Sequence, residues 1–214
     1  HALRYGFSRR GLLSTTSSTV HALTRSREGL DRPDLKIQIA LISGKDRYSR
    51  SKEMGIDRFS GFSLGVFMLH PLSRGSVHIR DSDPLQPPAM TARYLSEPEE
   101  RQVYLDALAR IRTIAAQPAF ADLLDRETRP GPDVQDDEQL LQYMRDTGQT
   151  SWHPIGTCRM GVDAQAVVAP DLTVYGTEGL RVVDASIMPS MASSNTNGPA
   201  IMIGEKAAEL IRAG

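Results

Sequence analysis

The end of the chain, GLRVVDASIMP (179–189) followed by NGPAIMIGEKAAELIRAG (197–214), restricts the fold more than any other stretch. Leu180–Val183 is an apolar run of strand length, closed by Asp184 and a turn. Pro199 stands where a helix would make its first turn, a place where the missing N–H costs nothing. The start of that helix, Ala200 to Ile203, is apolar on every side, which calls for burial all round. A strand, an acid at its C-terminal end and a buried helix make one unit of an α/β cofactor-binding domain. One such unit is present.

The preceding residues read differently. The opening, RYGFSRRGLLSTTSSTVHALTRSREG, is rich in Gly, Ser and Arg, and predicts a short helix followed by an irregular segment. DLKIQIALIS (34–43) alternates Leu35, Ile37, Ile39 and Leu41 with polar or small residues, the period of a half-buried strand. FSGFSLGVFMLHP (59–71) predicts a more fully buried strand ending at Pro71; its Phe62, Phe67 and His70 read as core rather than pocket. Val77–Ile79 and PAMTARYL (88–95) predict two more strands. SEPEERQVYLDALARIRTIAAQ (96–117) predicts a helix with Ser96 as cap and Glu99 completing a capping box. Its stripe is Tyr104, Leu108, Ile111 and Ala115. DDEQLLQYMRDTG (136–148) predicts a second helix, acidic at its start and ending near Gly148. RPGPDV (129–134) reads as a loop within a domain. Strands followed by helices give an α+β class: an antiparallel sheet covered by helices on one face, plus the C-terminal strand-helix unit.

Composition excludes some functions. A net charge of −1 with basic residues spread along the chain argues against nucleic acid or an anionic membrane as the main partner. No apolar run approaches the roughly 20 residues that span a bilayer. One cysteine makes no internal disulfide.

SWHPIGTCRMG (151–161) holds the chain's one Trp, its one Cys and one of its five His. His153 and Cys158 alone do not make a zinc site, which takes three or four ligands. A cysteine nucleophile needs a base or resolving thiol, and nothing in the spacing forces His153 and Cys158 to meet. Packing is the bland reading of His153; the Trp before it and the Pro-Ile-Gly-Thr turn after it favour a site. The chain's two Asn, Asn195 and Asn197, both fall in SSNTNGP, before the last helix. Capping explains an Asn there. A neutral donor and acceptor facing a histidine is also what alcohol chemistry requires, one group taking the hydroxyl proton and the other holding the oxygen.

WHPIGTCRMG, GLRVVDASIMP and NTNGPAIMIGEKAAELI, in this order and spacing, resemble the glucose–methanol–choline (GMC) flavoprotein oxidoreductases, and most of all their choline dehydrogenase branch. From about residue 25 to 150 the resemblance is looser, as in LHPLSRGSVHIRDSDP. The resemblance implies that His153 accepts the substrate's hydroxyl proton and that Asn195 is the second active-site residue. It implies FAD as cofactor, contacted by Asp184 and Ala185, with Asn195, Thr196 and Asn197 in a turn beside the flavin ring and Trp152 next to it. A histidine suits the proton transfer, and the positive end of a helix starting at Pro199 suits an anionic flavin.

None of the 17 glycines is one residue away from another, so the GxGxxG loop that cradles the FAD pyrophosphate is absent. The expectation is therefore the C-terminal part of a GMC enzyme. Residues 1–150 supply most of the substrate domain, and 151–214 return to the FAD domain with both active-site residues. Its partners are an alcohol and the missing N-terminal FAD domain, and the part alone holds FAD weakly and does not turn over. Val182, Val183, Met202 and Ile203 are expected to be exposed, disordered or covered by a second copy. The expected location is the cytoplasm, with inner-membrane association as the alternative. Rival readings are a non-catalytic substrate-binding module and a member doing lyase chemistry.

Overall fold

A computed structural model describes residues 2–11, 14, 18–45, 55–193 and 195–213. Its elements are α1 (Ala2–Ser8), β1 (Ser18–Thr24), β2 (Leu35–Ala40), β3 (Gly44–Lys45), β4 (Gly55–Ile56), β5 (Ser63–Met68), β6 (Ser76–His78), β7 (Ala89–Thr91), α2 (Pro98–Ala115), α3 (Asp137–Thr147) and α4 (Asn197–Ala213). They form two compact units, His1–Met68 with Pro98–Gln149, and Leu69–Glu97 with Thr150–Gly214. Leu69–Glu97 groups with the C-terminal part, although the sequence reading put it with residues 1–150.

In the first unit β1, β2 and β5 make an antiparallel sheet in that order. Alternation along β2 puts Leu35 (0% exposed) and Ile37 (4%) on the inner face, where Leu35 pairs with Met68 and Ile37 with Val66 across the ladder. α2 closes this face: Val103 and Ala107 pack on Leu35, with Val66 and Met68 around them. Burying a side chain such as Leu35 contributes about 2 kcal/mol. Two sequence expectations need correction. Leu41, read as inward, is 46% exposed, because β2 stops at Ala40. β1 lies where an irregular segment was expected; its residues carry little alternation, and pairing with β2 makes them a strand. Residues 12, 13 and 15–17 of that segment lie outside the described residues.

α3 forms as its local signals require, and α2 starts later than its expected cap. α3 has Asp136 at its N-cap, whose carboxylate accepts from the N–H groups of Glu138 and Gln139, and Gly148 at its C-cap. α2 starts at Pro98, beyond Ser96, whose hydroxyl instead bonds Ser73 Oγ at 3.1 Å. Val103 (2% exposed) and Ala107 (0%) lie at the centre of its buried stripe; Tyr104, Leu108, Ile111 and Ala115 flank it half-buried. The loop at 129–134 stays in the first unit. Arg112 donates to the carbonyl oxygens of Gly131 and Val134 and forms a two-pronged pair with Glu127, both arms 3.0 Å. Arg129 likewise grips the buried Asp57 carboxylate at 2.8–3.0 Å, and Ser43 Oγ donates to it at 2.6 Å.

In the second unit β6 and β7 form a short antiparallel ladder, Val77 opposite Met90. The strand expected over 88–95 ends at Thr91, since Arg93 (φ +55°) and Leu95 (φ +57°) are left-handed and leave the ladder. The core is Val168, Leu172, Ile187, Ile203 and Ala207. α4 contributes Ile203, Ala207 and the half-buried Leu210, one face at helical spacing. Its start is thus buried on one side only, with Ile201 60% and Met202 58% exposed. Ile203, expected to lack partners, is at 6%. The strand expected at 180–183 is reduced to one bridge, Arg181 with Thr173. A parallel strand is stable between neighbours on both edges; here Leu180 is 52% and Val183 36% exposed.

Candidate active site

The segment carrying His153 is held by backbone bonds to the turn that follows Asp184. Cys158 N donates to Ser186 O at 3.0 Å and Met160 N to Ile187 O at 2.8 Å. Gly156 makes the bend between His153 and these bonds; its φ of +83° is open to glycine and strained for other residues. Asp184 caps the 3-10 turn Ala185–Ile187, its carboxylate accepting from Ser186 N at 2.7 Å. This bonding to Ser186 holds the carboxyl below its ordinary range. A carboxylate with a depressed folded value stabilises above its unfolded value, and the gain is lost as pH falls. Asp184→Ala is expected to lower stability by about 1 kcal/mol at neutral pH, as cap removals do. Urea unfolding at pH 7 and near pH 3 checks this: the gap to wild type should narrow in acid.

The two distant sequence segments meet through one hydrogen bond. His153 Nδ1 lies 2.8 Å from Thr196 Oγ1, across 43 residues of sequence. Thr196 is 8% exposed, whereas Asn195 and Asn197 on either side are exposed. Of Asn195, Thr196 and Asn197, the threonine is the one that turns inward. Its carbonyl accepts from Ala200 N at 2.9 Å, which ties the turn to the first turn of α4. A second tie comes from His70, read from sequence as core. It is half-buried, and its Nε2 lies 3.2 Å from Ser193 Oγ, two residues before Asn195. Phe62 and Phe67 are half-buried too, Phe62 stacked on Phe120 with centroids 6.0 Å apart. The motifs gave no signal for the Thr196 and His70 contacts.

Trp152 is 66% exposed and takes φ +62°, a left-handed backbone, with its N–H donating to Thr150 Oγ1 at 3.1 Å. For a bulky residue this costs roughly 1–2 kcal/mol, and such strain gathers at functional sites. Cys158 is a half-buried free thiol. Among the described residues no group of three or more His, Cys, Asp or Glu could hold a metal, and no helix is long and apolar enough to cross a membrane.

This arrangement offers a histidine fixed through one ring nitrogen, a neutral amide beside its anchor, and the N-terminus of a long helix. A family model for GMC oxidoreductase, that of its C-terminal domain, matches residues 71–204. The chain belongs to the GMC oxidoreductase family. Among curated relatives, the GMC chain is 38% identical over 208 residues to an oxygen-dependent choline dehydrogenase of Rhizobium rhizogenes, covering 96% of this chain and 37% of that one. Its fold resembles pyridoxine 4-oxidase from Mesorbium loti, with a TM-score of 0.81 and 27% identity over 92% of this chain and 38% of that one. It also resembles an FAD-dependent oxidoreductase from Chaetomium thermophilum, with a TM-score of 0.70 and 28% identity over 86% of this chain and 28% of that one. The chain thus spans little more than a third of the curated relative it matches.

The residues present fit part of a flavin site. Trp152, Ile201 and Met202 are exposed and Val183 half-exposed, apolar side chains of the kind a ring system packs on. The N-terminus of α4 is the positive end of a long helix, which suits an anionic group. The phosphate cradle has no counterpart, because no two glycines stand one residue apart.

Proposed function

We propose that this chain is the C-terminal part of an FAD-dependent enzyme that oxidises an alcohol to an aldehyde. The observation that supports this is the bond between His153 Nδ1 and Thr196, which anchors the imidazole on the residue that follows Asn195 in sequence and leaves Nε2 without a hydrogen-bond partner among the described residues. Residues 1–150 supply most of the substrate domain and 151–214 the return to the FAD domain. Trp152, Asp184, Ala185, Thr196 and Asn197 line the flavin side.

Flavin, when bound, accepts the hydride that leaves the alcohol carbon. The hydroxyl proton has to depart in the same process, or a protonated carbonyl results. His153 Nε2 takes that proton. Asn195 holds the substrate oxygen through its amide. The positive end of α4 stabilises negative charge that develops beside it.

The test uses the complete protein. Primary alcohols, choline first, should bleach the flavin in the absence of oxygen. Turnover that consumes no electron acceptor would point to lyase chemistry instead, and the absence of any turnover to a substrate-binding module.

The 214-residue chain alone should retain little FAD, as the pyrophosphate cradle is missing. Its one tryptophan, Trp152, makes the titration simple, since flavin binding beside the indole quenches its emission. The expected result is weak quenching without saturation at micromolar FAD, and no flavin co-eluting on gel filtration. Stoichiometric bound flavin would overturn this.

A further inference from the structure

The hydroxyl of Thr196 has two ways to meet the His153 ring, and they have opposite chemical consequences. If the hydroxyl donates to Nδ1, the neutral ring carries its hydrogen on Nε2, and Nε2 has no lone pair for a proton. If Nδ1–H donates to the hydroxyl oxygen, Nε2 is bare and basic. We propose that Thr196 is a positioning residue that accepts Nδ1–H of His153 and so selects the tautomer in which Nε2 takes the substrate proton. This rests on the reading of His153 as the base of an alcohol oxidation.

Three observations carry it. The contact is short, 2.8 Å, and both partners are partly withdrawn from solvent. Thr196 is 8% exposed between two exposed asparagines, and its buried hydroxyl is the group that makes this contact. Thr196 Oγ1 is also the only hydrogen-bond partner of the His153 ring among the described residues, and no carboxylate performs the orienting role that an acid plays behind many catalytic histidines. The threonine is fixed in turn. Its carbonyl accepts from Ala200 N in α4, and Ser193, three residues back, is tied to His70. The histidine is thereby held in orientation as well as in tautomer, with Nε2 pointing away from the anchor.

Two measurements test this. In the complete enzyme labelled with 15N-histidine, the long-range 15N–1H pattern of His153, assigned by its loss in His153→Gln, should place the neutral ring's proton on Nδ1. A proton on Nε2 overturns the proposal. In the complete enzyme, Thr196→Val keeps the shape and removes the acceptor, and kcat should fall about tenfold, as expected for a lost hydrogen bond that acts in the transition state. KM should stay within about twofold, and Thr196→Ser should restore kcat to within about threefold of wild type. A merely structural role would instead move stability and spare the split between kcat and KM. If Thr196→Val keeps full kcat while His153→Gln abolishes turnover, the tautomer role fails and the base assignment stands. If His153→Gln itself keeps kcat, the underlying reading fails.

Discussion

Replacing His153 by Gln in the complete enzyme is expected to lower kcat for alcohol oxidation by about 10²–10⁴-fold, the usual contribution of a positioned general base. Gln is close in size and its amide can still meet Thr196 Oγ1, so the turn before α4 keeps its anchor while the proton acceptor is gone. Removing the base should leave KM nearly unchanged, since an interaction used mainly in the transition state shows in kcat. Alkaline pH should recover part of the rate, because hydroxide and the ionised alcohol take over the missing step. Stopped-flow reduction of the flavin without oxygen separates this step from reoxidation. A variant that reduces flavin within fivefold of wild type would remove His153 from the mechanism. Asn195→Ala should behave differently, costing less in the rate and more in substrate binding, because the amide holds the oxygen and moves no proton.

The local signals in the sequence were the ones most fully realised. α3 is bounded by Asp136 and Gly148, as its acids and glycine predicted, because capping is settled within four residues. β2 was legible as far as Ile37 because a strand buried on one face must alternate. β1 was not legible, because Ser18–Thr24 becomes a strand through its partner. The run at 180–183 failed in the opposite way: it is written as a strand, but a strand of that apolar kind needs two neighbours, and one bridge is what it has. Within the candidate site, the motifs pointed to His153 and Asn195. The inward turn of Thr196 and the reach of His70 to Ser193 depend on tertiary approach, which periodicity does not encode.

Asp57→Ala is expected to be the most damaging single change to the first unit. The Asp57 side chain is 3% exposed and the Arg129 side chain that faces it 31%. Arg129 donates through both terminal nitrogens at 2.8–3.0 Å, and Ser43 Oγ adds a third donor at 2.6 Å. Removing the carboxylate takes from the partly buried guanidinium the two-pronged acceptor it grips, and from Ser43 Oγ the acceptor it donates to. Breaking one side of a buried pair costs about 3–5 kcal/mol; the partial exposure of Arg129 puts the expectation at the lower end of that range. Urea unfolding followed by far-UV circular dichroism should show a lower midpoint with an unchanged slope. Arg129→Met in the Asp57→Ala background should recover much of the loss, because an apolar side chain of similar length leaves no charge to desolvate. Ser43→Ala alone should cost about 1 kcal/mol, the net worth of one hydrogen bond. If Asp57→Ala and Ser43→Ala prove equal, the ion pair adds nothing beyond that bond. The cost of Asp57→Ala would then come from the serine, and Arg129→Met would recover none of it.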